Sequence, residues 1–125
     1  MKGFKWEALK IYKNWRKEEI FCPAFNEKVH FTLLGWNHIV GNAKKHRSQS
    51  DVHRRLKLLP LAKSIVSKAG TIQSVKVVNG VTMYGLDSIE TVEINDITVL
   101  TKVRVIVIDT KTGKKFLSIM DRKLM

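Results

Sequence analysis

The chain predicts an α+β fold, with N-terminal helices packed on one face of a four-stranded antiparallel sheet. Three observations predict it. Apolar residues recur at helical spacing through the first half, whereas from Thr71 onward they fall into strand-like runs. Asn79-Gly80 separates two of those runs, and this dipeptide is the strongest short hairpin signal. Helices followed by a strand meander, rather than alternating with strands, place the helices together on one side of an antiparallel sheet.

Phe4, Ala8, Ile11 and Trp15 recur at spacings of four, three and four, with Leu9 and Tyr12 widening the stripe. They predict an amphipathic helix over about 4–19, which Cys22-Pro23 ends. Val29-His30-Phe31-Thr32 is a short strand candidate, and a helix over about 33–44 carries Trp36, His38, Ile39 and Val40. Ser48, three residues before Asp51, caps a further helix over about 50–69, with Ser50 as a second candidate cap. Pro60 kinks or splits that helix, and Gly70 stops it. Ile72–Val78 and Val81–Ser88 form the first hairpin, and Val99–Asp109 and Lys114–Asp121 the second. Glu90–Thr98 between them reads as a strand extension plus a loop. Nothing resembles a domain linker or a repeat, so residues 1–125 form a single domain in which helix 1–20 is a candidate accessory element.

Charge is divided unevenly. Residues 1–70 hold 15 Lys/Arg against 5 Asp/Glu, and residues 71–125 hold 8 against 6, within a formal net charge of +12. All four histidines lie in the first 70 residues. Such a field attracts phosphate backbones or anionic surfaces and informs about partners rather than fold. The single Cys22 excludes an internal disulfide and a multi-cysteine zinc site. No apolar run reaches the length of a membrane span, and the N-terminus lacks the apolar stretch of a signal peptide. No HExxH motif, paired-acid spacing or glycine-rich phosphate loop is present, so no metal and no cofactor is expected.

The candidate site residues follow from the basic segment and from strand alternation. His46 and Arg47, after Lys44-Lys45, combine an imidazole that titrates near neutrality with a guanidinium suited to a phosphate. As a structural alternative the segment is a solvated basic loop. A three-residue loop at Lys111-Thr112-Gly113 sets Thr110 opposite Lys114, Ile108 opposite Phe116, Ile106 opposite Ser118 and Arg104 opposite Met120. Arg104 and Ser118 then share one face, while Val103, Val105, Val107, Leu117 and Ile119 form the face to be buried. The structural alternative pairs Arg104 with an acid such as Glu93. The Asn79-Gly80 turn pairs Val78 with Val81 and Val75 with Tyr84, placing Tyr84 with Thr82, Leu86 and Ser88 on a half-polar face. His38 reads as a half-buried core residue, and His53-Arg54-Arg55 as a basic helical face against phosphates.

The stretches Val29–Thr32, Gly35-Trp36-Asn37-His38-Ile39, Arg55-Leu56-Lys57-Leu58-Leu59-Pro60, Val103–Val107 and Lys115-Phe116-Leu117-Ser118-Ile119-Met120 together resemble the barnase/EndoU/colicin/RelE-like superfamily of phage-associated and toxin nucleases. The resemblance spans about residues 27–121. It implies metal-independent cleavage of RNA, often tRNA or translated mRNA, with catalytic roles at His46, Arg47, Tyr84, Arg104 and Ser118. Lys44, Lys45, His53, Arg54, Arg55 and Lys115 would bind RNA. It further implies a bacterial, cytoplasmic site of action, phage-encoded or delivered, and an acidic antitoxin or immunity protein as partner. The competing expectations are a non-catalytic nucleic-acid-binding module, with helices near 33–44 and 50–58 imitating a helix-turn-helix, and an interaction protein whose charge meets an acidic partner.

Overall fold

The computed structural model describes residues 2–41, 48–94 and 96–123. Helix α1 (Lys2–Arg16) leads into strands β1 (Ile20–Cys22) and β2 (Glu27–His30), followed by α2 (Leu33–Val40) and α3 (Gln49–Leu58). A 3-10 turn at Leu59–Leu61 joins α3 to α4 (Ala62–Lys68). Strands β3 (Ser74–Val78), β4 (Val81–Ile94), β5 (Ile97–Thr110) and β6 (Gly113–Lys123) complete the chain. Among the described residues no helix is long and apolar enough to cross a membrane.

The expected four-stranded antiparallel sheet is corrected: six strands form one mixed sheet in the order β1-β2-β6-β5-β4-β3. The two extra strands come from the segment between the first two helices. Cys22-Pro23 does not end the helix, which stops at Arg16; Cys22 closes β1, and Pro23 opens a hairpin turn that Asn26 completes at a positive φ of 53°. The returning strand then joins the last strand in parallel, Val29 beside Lys114 and His30 beside Lys115. That pairing spans most of the chain, and hydrophobic periodicity carries no trace of a partner so distant.

Local signals elsewhere are met more closely. Ser48 Oγ accepts from Asp51 N and caps α3, and Thr32 Oγ1 accepts from Leu34 N and caps α2. Gly41, at a φ of 82°, follows α2 four residues short of the expected end. Pro60 stands in the 3-10 turn, where a missing N–H interrupts the helix and splits it in two. Asn79 and Gly80 both take positive φ and pair Val78 with Val81. Residues 90–94 and 97–98 are strand, with Ile94 directly opposite Ile97.

The helices cover the face of the sheet that carries Val103, Val105, Val107, Leu86 and Ile119, all buried in one cluster with Ile39, Leu56 and Val66. At its centre Tyr12 touches the rings of Trp15, Phe31, Trp36 and Phe116, while Phe31 stacks on Phe116 at 4.8 Å between centroids. The Tyr12 hydroxyl donates to the carbonyl of Thr32, so the ring is buried with its polar end satisfied. Among the described residues β6 has no strand neighbour on the β2 side beyond Lys115, and α2 packs there instead. Gly35 makes this approach possible. A Cβ at Gly35 would lie 2.7 Å from the Phe116 carbonyl oxygen, from Phe116 Cδ2 and from the Tyr12 hydroxyl.

Two outcomes follow. Gly35→Ala forces a methyl against a backbone oxygen and should cost about 2–3 kcal/mol, read as a lower urea midpoint. Burial raises the Tyr12 pKa well above 10.0. Its contribution is therefore complete below pH 10 and is lost as pH rises toward the folded-state value. Tyr12→Phe should lose about 1 kcal/mol at neutral pH with the hydrogen bond. Between about pH 9 and about pH 11 the variant should then lose less stability than the parent in urea titrations.

Candidate functional site

The uncovered face of the sheet carries the alternate residues of the same strands. Arg104 and Ile106 of β5 stand there, with Asp87, Gly85 and Met83 opposite on β4 and Ser74 and Lys76 beyond on β3. The hairpin joining β5 to β6 departs from its expected register at the turn. Its loop is the two-residue Lys111-Thr112, setting Thr110 against Gly113, Ile108 against Lys115 and Val107 against Phe116. A bulge between Ile106 and Val107 then absorbs Leu117 and restores Ile106 opposite Ser118 and Arg104 opposite Met120. An extra residue in one strand brings two successive side chains toward the same face. Leu117, expected in the buried layer, accordingly lines the same cleft as Ser118.

This cleft, of about 280 Å³, gathers His38, Ser74, Lys76, Arg104 and Ser118 around an apolar floor that includes Met83 and Ile106. His38 comes from α2, which reaches the site because it lies along the β6 edge. Arg104 is only 18% exposed and makes a bidentate ion pair with Asp87, Nε to Oδ1 at 2.6 Å and Nη2 to Oδ2 at 2.9 Å. The Asp87 hydrogen bonds raise the guanidinium pKa further, so Arg104 is a permanent cation with two of its five N–H donors engaged. Gly85 leaves room for that geometry. A Cβ there would meet Ser74 Oγ at 2.4 Å and Arg104 Nε at 3.1 Å.

Of the residues expected to form the site, Arg104 and Ser118 are brought together. His46, Arg47, Lys44 and Lys45 lie outside the described residues. Tyr84 is placed elsewhere: it pairs with Val107 and so shares the face that the helices cover. Its hydroxyl donates to Asp109 at 2.8 Å, and its ring meets Phe25 edge-on at 5.0 Å. The Asp109 hydrogen bond raises the Tyr84 pKa, which makes the phenol a poorer acid. Lys114 binds Asp109 at 2.6 Å and Glu27 at 2.9 Å and sits 5.2 Å from the Tyr84 ring centroid. The cluster fastens the β1–β2 hairpin to the sheet and belongs to the fold.

The helical face of His53-Arg54-Arg55 is also divided. His53 and Arg54 are exposed, and Arg54 is shared between Asp51 at 3.2 Å and Asp121 at 3.5 Å. Arg55 turns inward to Ser118 instead of facing solvent. Lys115 is half-buried on β6, beside His30 of β2 and opposite Ile108 of β5. The acid that holds Arg104 is Asp87, not Glu93. The register that sets Ile94 opposite Ile97 also sets Asp87 opposite Arg104, and Asp96 takes a positive φ of 64°. His38, Ser74, Lys76 and Gly85 carried no motif, because their meeting depends on three separate pairings. Comparison of the chain with protein-family models, with curated proteins and with solved structures returns no match.

Proposed function

We propose that the outer-face cleft binds an RNA phosphodiester and cleaves it by attack of the neighbouring 2′-hydroxyl, without a metal ion. The observation that carries this reading is the convergence of an imidazole, a fixed guanidinium, an ammonium and a hydroxyl on one cleft: His38, Arg104, Lys76 and Ser118. In the reaction a bond forms from O2′ to phosphorus and the bond from phosphorus to O5′ breaks. One proton leaves the 2′-hydroxyl and one arrives on the leaving oxygen. His38 serves one of those transfers, since an imidazole can accept a proton at one nitrogen and give one up as its conjugate acid. His46 is the second candidate, carried from the sequence alone. Arg104 and Lys76 take the phosphate charge that grows as phosphorus becomes pentacovalent. Asp87 on β4 holds the guanidinium through two hydrogen bonds, so little reorganisation accompanies reaction.

The formal net charge of +12 supports the same reading, because it draws the polyanion to the surface before the cleft acts. A toxin or phage effector acting on tRNA or mRNA in a bacterial cytoplasm, neutralised by an acidic partner, is the setting that fits it. Purified protein incubated with tRNA and mRNA in EDTA should yield fragments ending in 2′,3′-cyclic phosphate. His38→Ala, checked for folding by circular dichroism, should cut about 10²–10⁴-fold more slowly. Intact RNA across such a panel would overturn the enzymatic reading, and full activity in His38→Ala would overturn the role of that residue.

A second reading is a non-catalytic RNA-binding module. It is favoured by the cleft of about 470 Å³ beside α3, where Ser50, His53, Arg54 and Lys57 face Val92 and Glu93. RNA bound with a steep salt dependence yet recovered intact would favour it. Arg54→Ala together with Lys57→Ala should then weaken binding and flatten that salt dependence.

A further inference from the structure

We propose that Arg55 is a positioning residue for the cleft, holding the Ser118 hydroxyl so that it donates its hydrogen to a non-bridging phosphate oxygen. The inference rests on the phosphodiester reading above. Arg55 differs from its neighbours on α3, since its side chain is only 12% exposed whereas those of His53, Arg54 and Lys57 face solvent. Its Nη1 donates to Ser118 Oγ at 2.6 Å and to the Ile119 carbonyl at 3.1 Å. Its Nε is held by Asp51 Oδ2 at 3.1 Å, one helical turn earlier. Asp51 also supplies the N–H that Ser48 caps, so the chain of contacts is anchored at the start of α3. A guanidinium held at both ends has little freedom to turn away.

The consequence for Ser118 follows from hydrogen-bond inventory. A hydroxyl has one donor and two acceptor sites, and a guanidinium only donates. Ser118 Oγ must therefore accept from Arg55 and direct its own hydrogen elsewhere. Among the described residues no protein acceptor receives that hydrogen. Ser118 is 1% exposed and lines the cleft that also holds His38 and Arg104. A buried donor next to a cation, opening on a cleft, is suited to an anionic oxygen. Among the described residues no base is hydrogen-bonded to Ser118, so its assigned role is that of donor and not of nucleophile. The bulge is part of the device, because without the extra residue Leu117 the alternation would turn Ser118 toward the helices.

The test is single-turnover cleavage of purified bacterial tRNA between about pH 5 and pH 8, with rate and apparent affinity separated. Ser118→Ala should lower the maximal rate about 10–100-fold, with affinity changed less than about threefold. Arg55→Lys keeps the charge but loses the fork, and should give a similar rate loss with an unshifted pH optimum. Combined, the two substitutions should be no slower than Ser118→Ala alone, because Arg55 acts through Ser118. Urea midpoints should nevertheless fall further in the double variant, since the Ile119 carbonyl also loses its donor. Rate losses that multiply, or an Arg55→Lys variant as fast as the parent, would overturn the assignment while leaving the cleft an RNase. If Arg55→Lys does not fold, Asp51→Asn loosens the same guanidinium, and its rate loss should likewise vanish in the Ser118→Ala background. A parent protein that cuts no RNA overturns both readings together.

Discussion

The close approach of α2 to β6 at Gly35 is the contact on which the arrangement depends. Here a helix lies against the backbone of a strand with no side chain between them, and Tyr12 of α1 seals the joint from the third direction. Three elements remote in sequence are thereby fixed relative to one another within a few ångströms. The joint also solves an edge problem. β2 covers β6 only at Lys114 and Lys115, and an open strand edge invites pairing with other chains. Helix α2 closes that edge, and α3 continues the cover by sending Arg55 to the Ile119 carbonyl. Because α2 runs along the rim, His38, three residues beyond Gly35, looks onto the far side of the sheet although its helix belongs to the near side. Fold and cleft therefore share one origin.

Electrostatics around the cleft follow a common pattern. The chain has few acids, yet Asp87 and Asp51 are committed to the two arginines nearest the cleft. Each carboxylate orients a guanidinium and lessens the cost of burying its charge. Lys5, Lys10, Lys13 and Arg16 of α1 and Arg54 and Lys57 of α3 are exposed, where they set the long-range field. Positive charge is thus used in two ways: exposed cations on the outside set the field, and carboxylate-paired arginines inside set geometry.

What the sequence revealed tracks how local each determinant is. The Asn79-Gly80 turn, the Ser48 cap, the Pro60 break and the alternation through Val103, Val105 and Val107 act within a few residues, and each was legible. The parallel partnership of β2 and β6 was not, since His30 and Lys115 carry no complementary mark. The second hairpin shows an intermediate case. The turn is one residue shorter than expected and the bulge at Leu117 adds one back, so the distal pairings of Arg104 with Met120 and Ile106 with Ser118 stand while the residues near the turn shift. Tyr84 was misplaced for a different reason. Its own strand pairing was right, but a face that looked half-polar on β4 is the buried one, because burial is decided by the apolar residues of β5 across from it. His38 looked like ordinary core because nothing local says that its helix lies at a rim.

The parallel pairing of β2 with β6 bears on when the cleft can assemble. β2 leaves the ribosome long before β6 exists, and the Gly35 joint has nothing to close upon until Phe116 has emerged. The hairpins of the second half form from neighbours in sequence, but the cleft needs α2 and β6 together. A nascent chain therefore has no assembled cleft until β6 has emerged, however early its helices form.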